Sequence, residues 1–242
     1  MADYAVIMGG TALNVGISDH IEVLRNTDTT IETVNTSVTL SEPRYNLAAA
    51  SCNGYVLAMG GRESLGNTNP YSAAVDIFKA TENGIERTVF ESSLDVPRGN
   101  LAAATCGDYT LAMGGNINNN TYSDTVDVYQ SVIEDGEEYV LIREDINLKL
   151  SEPRANLGAA ACGEYIFAVG GVTGMNELSD AVDVFRVTST GVVKVNIPLN
   201  LSSPRQNVQV ASCGNFVLAM GGADSTGKPV NVIDVFEIKQ KN

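Results

Sequence analysis

An internal repeat constrains this chain more than any other feature. Gly-Gly pairs begin at Gly9, Gly60, Gly114, Gly170 and Gly221, at intervals of 51, 54, 56 and 51 residues. Pro-Arg pairs begin at Pro43, Pro97, Pro153 and Pro204, at intervals of 54, 56 and 51. The two markers keep step, so residues 1–242 read as one array forming a single domain, with no linker inside it.

Each full unit has the same grammar. Pro-Arg-x-Asn opens a small-residue strand, as in Leu47–Cys52, Leu101–Cys106, Leu157–Cys162 and Val208–Cys213. A two-residue turn follows (Asn53-Gly54, Gly107-Asp108, Gly163-Glu164, Gly214-Asn215), of the kind that supplies the positive φ a tight hairpin demands. An aromatic-led apolar strand then ends in Gly-Gly, as in Tyr55–Gly61. After a polar loop come Val75–Phe78, Val126–Tyr129, Val182–Phe185 and Ile233–Phe236, and then a more variable fourth strand such as Val192–Pro198. Helical periodicity is absent. Four short strands with two apolar faces are not stable alone, and stacking copies around an axis buries both faces. The fold class that follows is all-β, a β-propeller of four-stranded blades, with strands A to D numbered outward from the axis. Strand A is rich in Ala and Gly because innermost strands crowd near that axis.

Here the sequence resembles the kelch-repeat family. The resemblance rests on the period, the Pro-Arg lead-in, the aromatic strand closing in Gly-Gly and the later aromatic of the third strand, and it spans nearly all 242 residues. Trp, usual in the fourth strand of that family, is absent. The resemblance implies a kelch-like propeller used for partner binding at one end of its ring.

Five strand-B endings give five blades as the simplest count. Met1 aligns with the Cys before the A–B turn, so the array opens at strand B and closes after strand C, leaving both end blades incomplete. Two closures compete: a monomeric five-bladed ring, or a homo-oligomer in which chains share strands through those blades. An uncovered sheet edge keeps the second in play.

Strand alternation puts the D–A and B–C connections at one end of the ring. Arg44, Arg98, Arg154 and Arg205 are then expected around the channel mouth, with Asn46, Asn100, Asn156 and Asn207 just inside it. One reading makes these arginines an anion-binding rim, since converging guanidinium forks hold carboxylates bidentately. The other makes them blade staples, because each unit also carries an acid in strand C (Asp76, Asp127, Asp183, Asp234, with Glu22 in the first). The B–C loops share that end, vary most and are rich in Asn, Ser, Thr and Gly; Arg62, Asn116 and Tyr122 are the individual candidates for contact. The expected partner is a protein or acidic peptide, with a small anionic or sugar ligand at the channel mouth as the alternative. A third reading is an assembly component pairing through its end blades.

Composition narrows the rest. Acids outnumber bases 29 to 15, for a net charge of −14, which argues against nucleic acid as partner. No apolar run of 18 residues marks a membrane span, and the first ten residues lack a basic signal region, so a cytoplasmic location is expected. The four cysteines, Cys52, Cys106, Cys162 and Cys213, recur once per unit without a C-x-x-C pair, which fits buried reduced thiols better than metal ligands. One histidine, His20, cannot build a multi-histidine centre and reads as a surface residue. The copper site known on kelch scaffolds needs more histidine than this, iron-dependent kelch proteins need a His within an acidic cluster that His20 does not supply, and sialidase Asp-boxes need Trp. Sugar mutarotation by Arg, Asn and carboxylates is the remaining enzymatic option. No cofactor or metal is expected, and Glu134–Glu138 reads as a solvated C–D turn.

Overall fold

The computed structural model describes residues 3–14, 16–27, 29–66, 71–134, 138–175 and 177–239. Part of one B–C loop (67–70), the middle of the acidic turn (135–137) and the aligned Met1 lie outside the described residues. Every regular element described is a strand. Five antiparallel sheets form the blades of a propeller. Blade 1 holds β1 (Asp3–Met8), β2 (Ile21–Asn26) and β3 (Ile31–Val34). Blade 2 holds β4 (Ala48–Cys52), β5 (Tyr55–Met59), β6 (Ala74–Thr81) and β7 (Gly84–Arg87). Blade 3 holds β8 (Ala102–Cys106), β9 (Tyr109–Met113), β10 (Thr125–Glu134) and β11 (Glu138–Lys149). Blade 4 holds β12 (Gly158–Cys162), β13 (Tyr165–Val169), β14 (Ala181–Thr188) and β15 (Gly191–Asn200). Blade 5 holds β16 (Gln209–Cys213), β17 (Phe216–Met220) and β18 (Ile233–Glu237).

Turn chemistry fixes the inner hairpins. Asn53 and Gly54 both take positive φ (47° and 83°), and Gly107, Gly163 and Gly214 do so at the other turns. That sets Cys opposite the aromatic, Cys52 against Tyr55 and Cys106 against Tyr109, and the register then carries through the sheet. Alternation along each strand sends one row of side chains toward the preceding blade and one toward the next. Leu111, Met113, Val126 and Val128 of blade 3 thus pack with Ile166, Ala168 and Phe185 of blade 4 in one buried cluster. Burial of aliphatic rows between neighbouring sheets is the main stabilising term.

Close approach explains the small residues. A Cβ on Gly60, Gly114 or Gly170 would sit 2.4–2.6 Å from the carbonyl oxygen of Arg98, Arg154 or Arg205 in the next blade. The second glycine of each pair donates its N–H to that same carbonyl, Gly61 to Arg98, Gly115 to Arg154 and Gly171 to Arg205, at 2.9 Å. Blade 4 opens on Gly158 where blades 2 and 3 have Ala48 and Ala102, because its missing Cβ would lie 2.3 Å from the Val208 carbonyl oxygen and 2.5 Å from the Val210 side chain of blade 5. Small residue and larger neighbour compensate across the innermost layer. Each buried cysteine donates its thiol across the same boundary, Cys106 to Gly163 at 3.2 Å and Cys162 to Gly214 at 3.3 Å.

These contacts stop at the last blade. The four Pro-Arg carbonyls are taken by blades 1 to 4, so none remains for Gly221 and Gly222. Gly221 meets nothing closer than the Val230 carbonyl at 3.6 Å, and Cys213 is exposed. Ile7 of blade 1 and Ile233 and Val235 of blade 5 are 56%, 60% and 56% exposed. The seam between the end blades is therefore not packed like the other junctions.

Candidate functional site

The Pro-Arg-x-Asn segments and the B–C loops do share one end of the ring. Single antiparallel bridges tie the x residue to the residue after Gly-Gly in four blades: Tyr45 to Arg62, Gly99 to Asn116, Ala155 to Val172 and Gln206 to Ala223. Inside this collar, Asn46, Asn100, Asn156 and Asn207 each adopt positive φ of 53–55°, a conformation Asn tolerates better than most residues. Their backbones form a ladder around the channel: the N–H of Asn100, Asn156 and Asn207 donates to the carbonyl of Asn46, Asn100 and Asn156 in turn. They line a cavity of about 220 Å³. Asn100 donates to Asn116 Oδ1 at 2.9 Å, and Asn156 to Gln206 Oε1 at 3.1 Å.

The four repeated arginines are placed differently from the rim expected of them. Arg44, Arg98, Arg154 and Arg205 have no exposed surface. Each turns its guanidinium into its own blade and pairs with the strand-C acid, Asp76, Asp127, Asp183 or Asp234. Arg154 also donates to the carbonyls of Gly170 at 2.9 Å and Ala168 at 3.1 Å. A guanidinium that is fully buried and paired with its own blade's acid is not offered to a ligand, so these four positions are corrected to internal staples. A second cation, from strand D, closes on three of the same acids: Arg87 on Asp76, Arg143 on Asp127 and Lys194 on Asp183. Burial alone would raise the carboxyls of Asp76 and Asp183. The bonds from Arg87 or Lys194, the serine N–H and the buried arginine outweigh it and hold both below the usual carboxylate range.

Arg62 is a cation at the mouth on the blade 2 side. Its guanidinium lies between two aromatic faces, 5.5 Å from the Tyr45 ring centre and 5.2 Å from that of Tyr71. Its stem runs over Gly99 of blade 3, where a Cβ would come within 3.1 Å of Arg62 Cγ. Its Nε is buried without a hydrogen-bond partner among the described residues, as are those of Arg25, Arg44, Arg98 and Arg154. Burial pushes the Tyr71 phenol up, Arg62 pulls it back, and Tyr45 and Tyr122 are close enough to act on it. Asn116 pairs with Tyr122 across a short hairpin of the next loop, Asn116–Asn118 with Thr121–Tyr122. The three individual candidates from the loops thus fall in one sector spanning blades 2 and 3. Glu63 is the acid beside them, its carboxyl raised by burial and by Glu42. On the blade 4 and 5 side the equivalent positions, Val172 and Ala223, are apolar.

Sequence reasoning missed Tyr45, Tyr71 and Gly99. The available signal was position: Tyr45 and Gly99 fill the one variable place in Pro-Arg-x-Asn, where the frame is constant and the side chain is free to differ.

No protein-family model matches the sequence, and no curated protein is significantly similar to it. Among solved structures the chain is similar to one described as "Structure of YjhT", a propeller, with 13% sequence identity and a TM-score of 0.69. The match covers 98% of this chain and 79% of that one. At that identity the likeness speaks for the fold alone: the chain is an all-β, five-bladed β-propeller.

Proposed function

We propose that this protein is a kelch-like, non-catalytic binding module that holds an acidic segment of a partner protein at the D–A/B–C end of its ring. The observation that carries the reading is Arg62, a cation set against two tyrosine rings at the mouth, beside the variable loops of blades 2 and 3. The rings fix the guanidinium and keep water off its faces, while its edge remains able to take a carboxylate. Tyr122, Asn100 and Asn116 add hydrogen-bonding capacity beside it. Buried free thiols at Cys52, Cys106 and Cys162 suit a reducing compartment, and the proposal includes a cytoplasmic setting. No helix among the described residues is long and apolar enough to cross a membrane.

A panel of fluorescent Asp/Glu-rich dodecapeptides, titrated by anisotropy, tests this. Saturable binding is expected for some members, weakening with salt and falling at least about tenfold, or about 1.4 kcal/mol, in Arg62→Ala. Binding that is indifferent to Arg62→Ala would remove the assignment. The asparagine-lined cavity favours a second reading, a small anionic or sugar ligand seated in the channel. That ligand would respond to Asn100→Ala and Asn156→Ala more than to Arg62→Ala, which separates the two.

A further inference from the structure

Tight turns select small polar residues, which supply positive φ or bond their own backbone. Opposite the mouth this chain obeys that rule. The A–B turns are built from Asn, Gly, Asp and Glu, and the C–D turns of blades 2 and 4 are Glu82-Asn83 and Ser189-Thr190. At the mouth, Asn119-Asn120 of blade 3 and Ser225-Thr226 of blade 5 obey it too. The other three B–C loops do not. Leu13 turns the chain between Thr11–Ala12 and Gly16–Ile17 in blade 1, and Met175 does so between Val172–Gly174 and Glu177–Leu178 in blade 4. Leu65 bends the blade 2 loop three residues after Arg62.

Leu13, Leu65 and Met175 are 91%, 64% and 80% exposed. Side chains so exposed contribute little to the core, and turn geometry does not call for them. Exposed apolar residues scattered singly are ordinary on a protein surface. Here they are sorted, three at loop tips of one end and none in the described turns of the other.

Blade order sets two of these tips on opposite sides of the tyrosine sector. Leu65 stands on blade 2, and the Arg62 stem runs from blade 2 over Gly99 of blade 3. Asn116 and Tyr122 stand on the blade 3 loop, which touches the blade 4 loop through Thr121–Tyr122 and Val172–Gly174. A path from Leu65 to Met175 therefore crosses Arg62 and Tyr122. Charge is sorted along the same path. In the sequence of the three loops, 62–71, 116–122 and 172–178, Arg62 is the only base, and Glu63 and Glu177 are the only acids. Each acid lies two residues from an apolar tip, Glu63 from Leu65 and Glu177 from Met175. A carboxylate is attracted at Arg62 and repelled at both flanks. The net charge of −14 also opposes an acid-rich run at long range. Apolar contact has to supply what charge withholds.

We propose that the segment held at the mouth carries one central Asp or Glu between two large apolar side chains, the acid on Arg62 and the apolar residues on Leu65 and Met175. This rests on the acidic-segment reading above and narrows it from acid-rich partners to apolar–acid–apolar ones.

The probes are fluorescent Gly/Ser dodecapeptides with one central Glu and a Leu two, three, four or five residues to either side. They are titrated into the whole chain and read by anisotropy. At one spacing, binding is expected to be at least about tenfold tighter than that of a companion with both Leu replaced by Ser, and than that of an unbroken Glu run. Leu65→Ser and Met175→Ser, both at exposed positions, are each expected to weaken the Leu peptide while leaving the unfolding midpoint and the Ser companion unchanged. Gln for Glu in the peptide, or Arg62→Ala in the protein, is expected to weaken it at least about tenfold. Leu and Ser peptides that bind alike, both lost in Arg62→Ala, would overturn this inference and leave the acidic-segment reading standing. Leu-peptide binding that survives both Leu65→Ser and Met175→Ser would do the same. A Leu peptide indifferent to Gln for Glu and to Arg62→Ala would overturn both, as would no binding by any probe. Co-sedimentation with phosphatidylcholine vesicles, or a mass of two chains, abolished by Leu65→Ser and Met175→Ser, would overturn the inference and assign the tips to a lipid surface or to a second copy.

Discussion

A buried arginine is costly unless its charge and its hydrogen-bonding capacity are met together. Arg154 shows how far this chain does so: its terminal nitrogens face Asp183 and three carbonyls, the acid in turn takes Lys194 and the N–H of Ser151, and the buried Nε is left without a partner among the described residues. The acid's folded pKa lies below its unfolded value of about 3.9. Its contribution to stability is therefore complete above that unfolded value and is lost as pH falls through the folded one. The thermal midpoint is expected to hold from pH 7 to about 5 and to drop below about pH 4. Asp183→Asn is expected to be less stable at pH 7 and to lose less on acidification. An acid limb as steep in the variant as in the parent would show that Asp183 titrates alike in both states. Half of this arrangement was legible beforehand. Arg and strand-C Asp recur together, 29 residues apart in three of the four units, which made an internal link one of two readings. Burial decided between them, and burial depends on how far the lead-in dips below the mouth, which no spacing encodes. Arg87, Arg143 and Lys194 escaped notice because the fourth strand varies in length and the basic residue changes type.

Among elements, the Gly-Gly strand end is the joint between blades. Gly114 and Gly221 have the same backbone conformation, φ 65° and 60°, but different surroundings. At Gly114 a Cβ would lie 2.4 Å from the Arg154 carbonyl; at Gly221 the nearest atom is 3.6 Å away. Alanine costs about 1–2 kcal/mol at either position for left-handed backbone, and at Gly114 the overlap adds about 1–3 kcal/mol. Gly114→Ala is thus expected to lower the urea midpoint clearly more than Gly221→Ala. Equal losses would mean that the blade 3–4 junction yields without cost. Strand order, hairpin turns and the small-residue inner strands were all readable, because each follows from a local rule of turn or alternation. The close approach of Gly158 to Val208 and Val210 was not, since it joins the inner strands of two neighbouring blades.

For the whole molecule, repetition and variation separate two jobs. Constant residues (the arginines, strand-C aspartates and glycines) lie inside and between blades, where every unit faces the same packing problem. Residues that differ from unit to unit, Arg62, Tyr45, Tyr71 and Tyr122 at the mouth, surround a shared ring of asparagines. Among the described residues the seam between the end blades lacks the constant contacts: Gly221 meets nothing closer than the Val230 carbonyl at 3.6 Å. Urea unfolding and acidic-peptide titration, run side by side on Arg154→Met and Arg62→Ala, test this division most directly. Arg154→Met leaves Asp183 with Lys194 and Ser151 alone and three buried carbonyls without their donor, and is expected to lose at least about 1–3 kcal/mol. Arg62→Ala gives up half-buried contacts with two rings and Gly99, about 1–2 kcal/mol, yet is expected to lose the peptide. A stable, native Arg154→Met that no longer binds, beside an Arg62→Ala that does, would contradict the account.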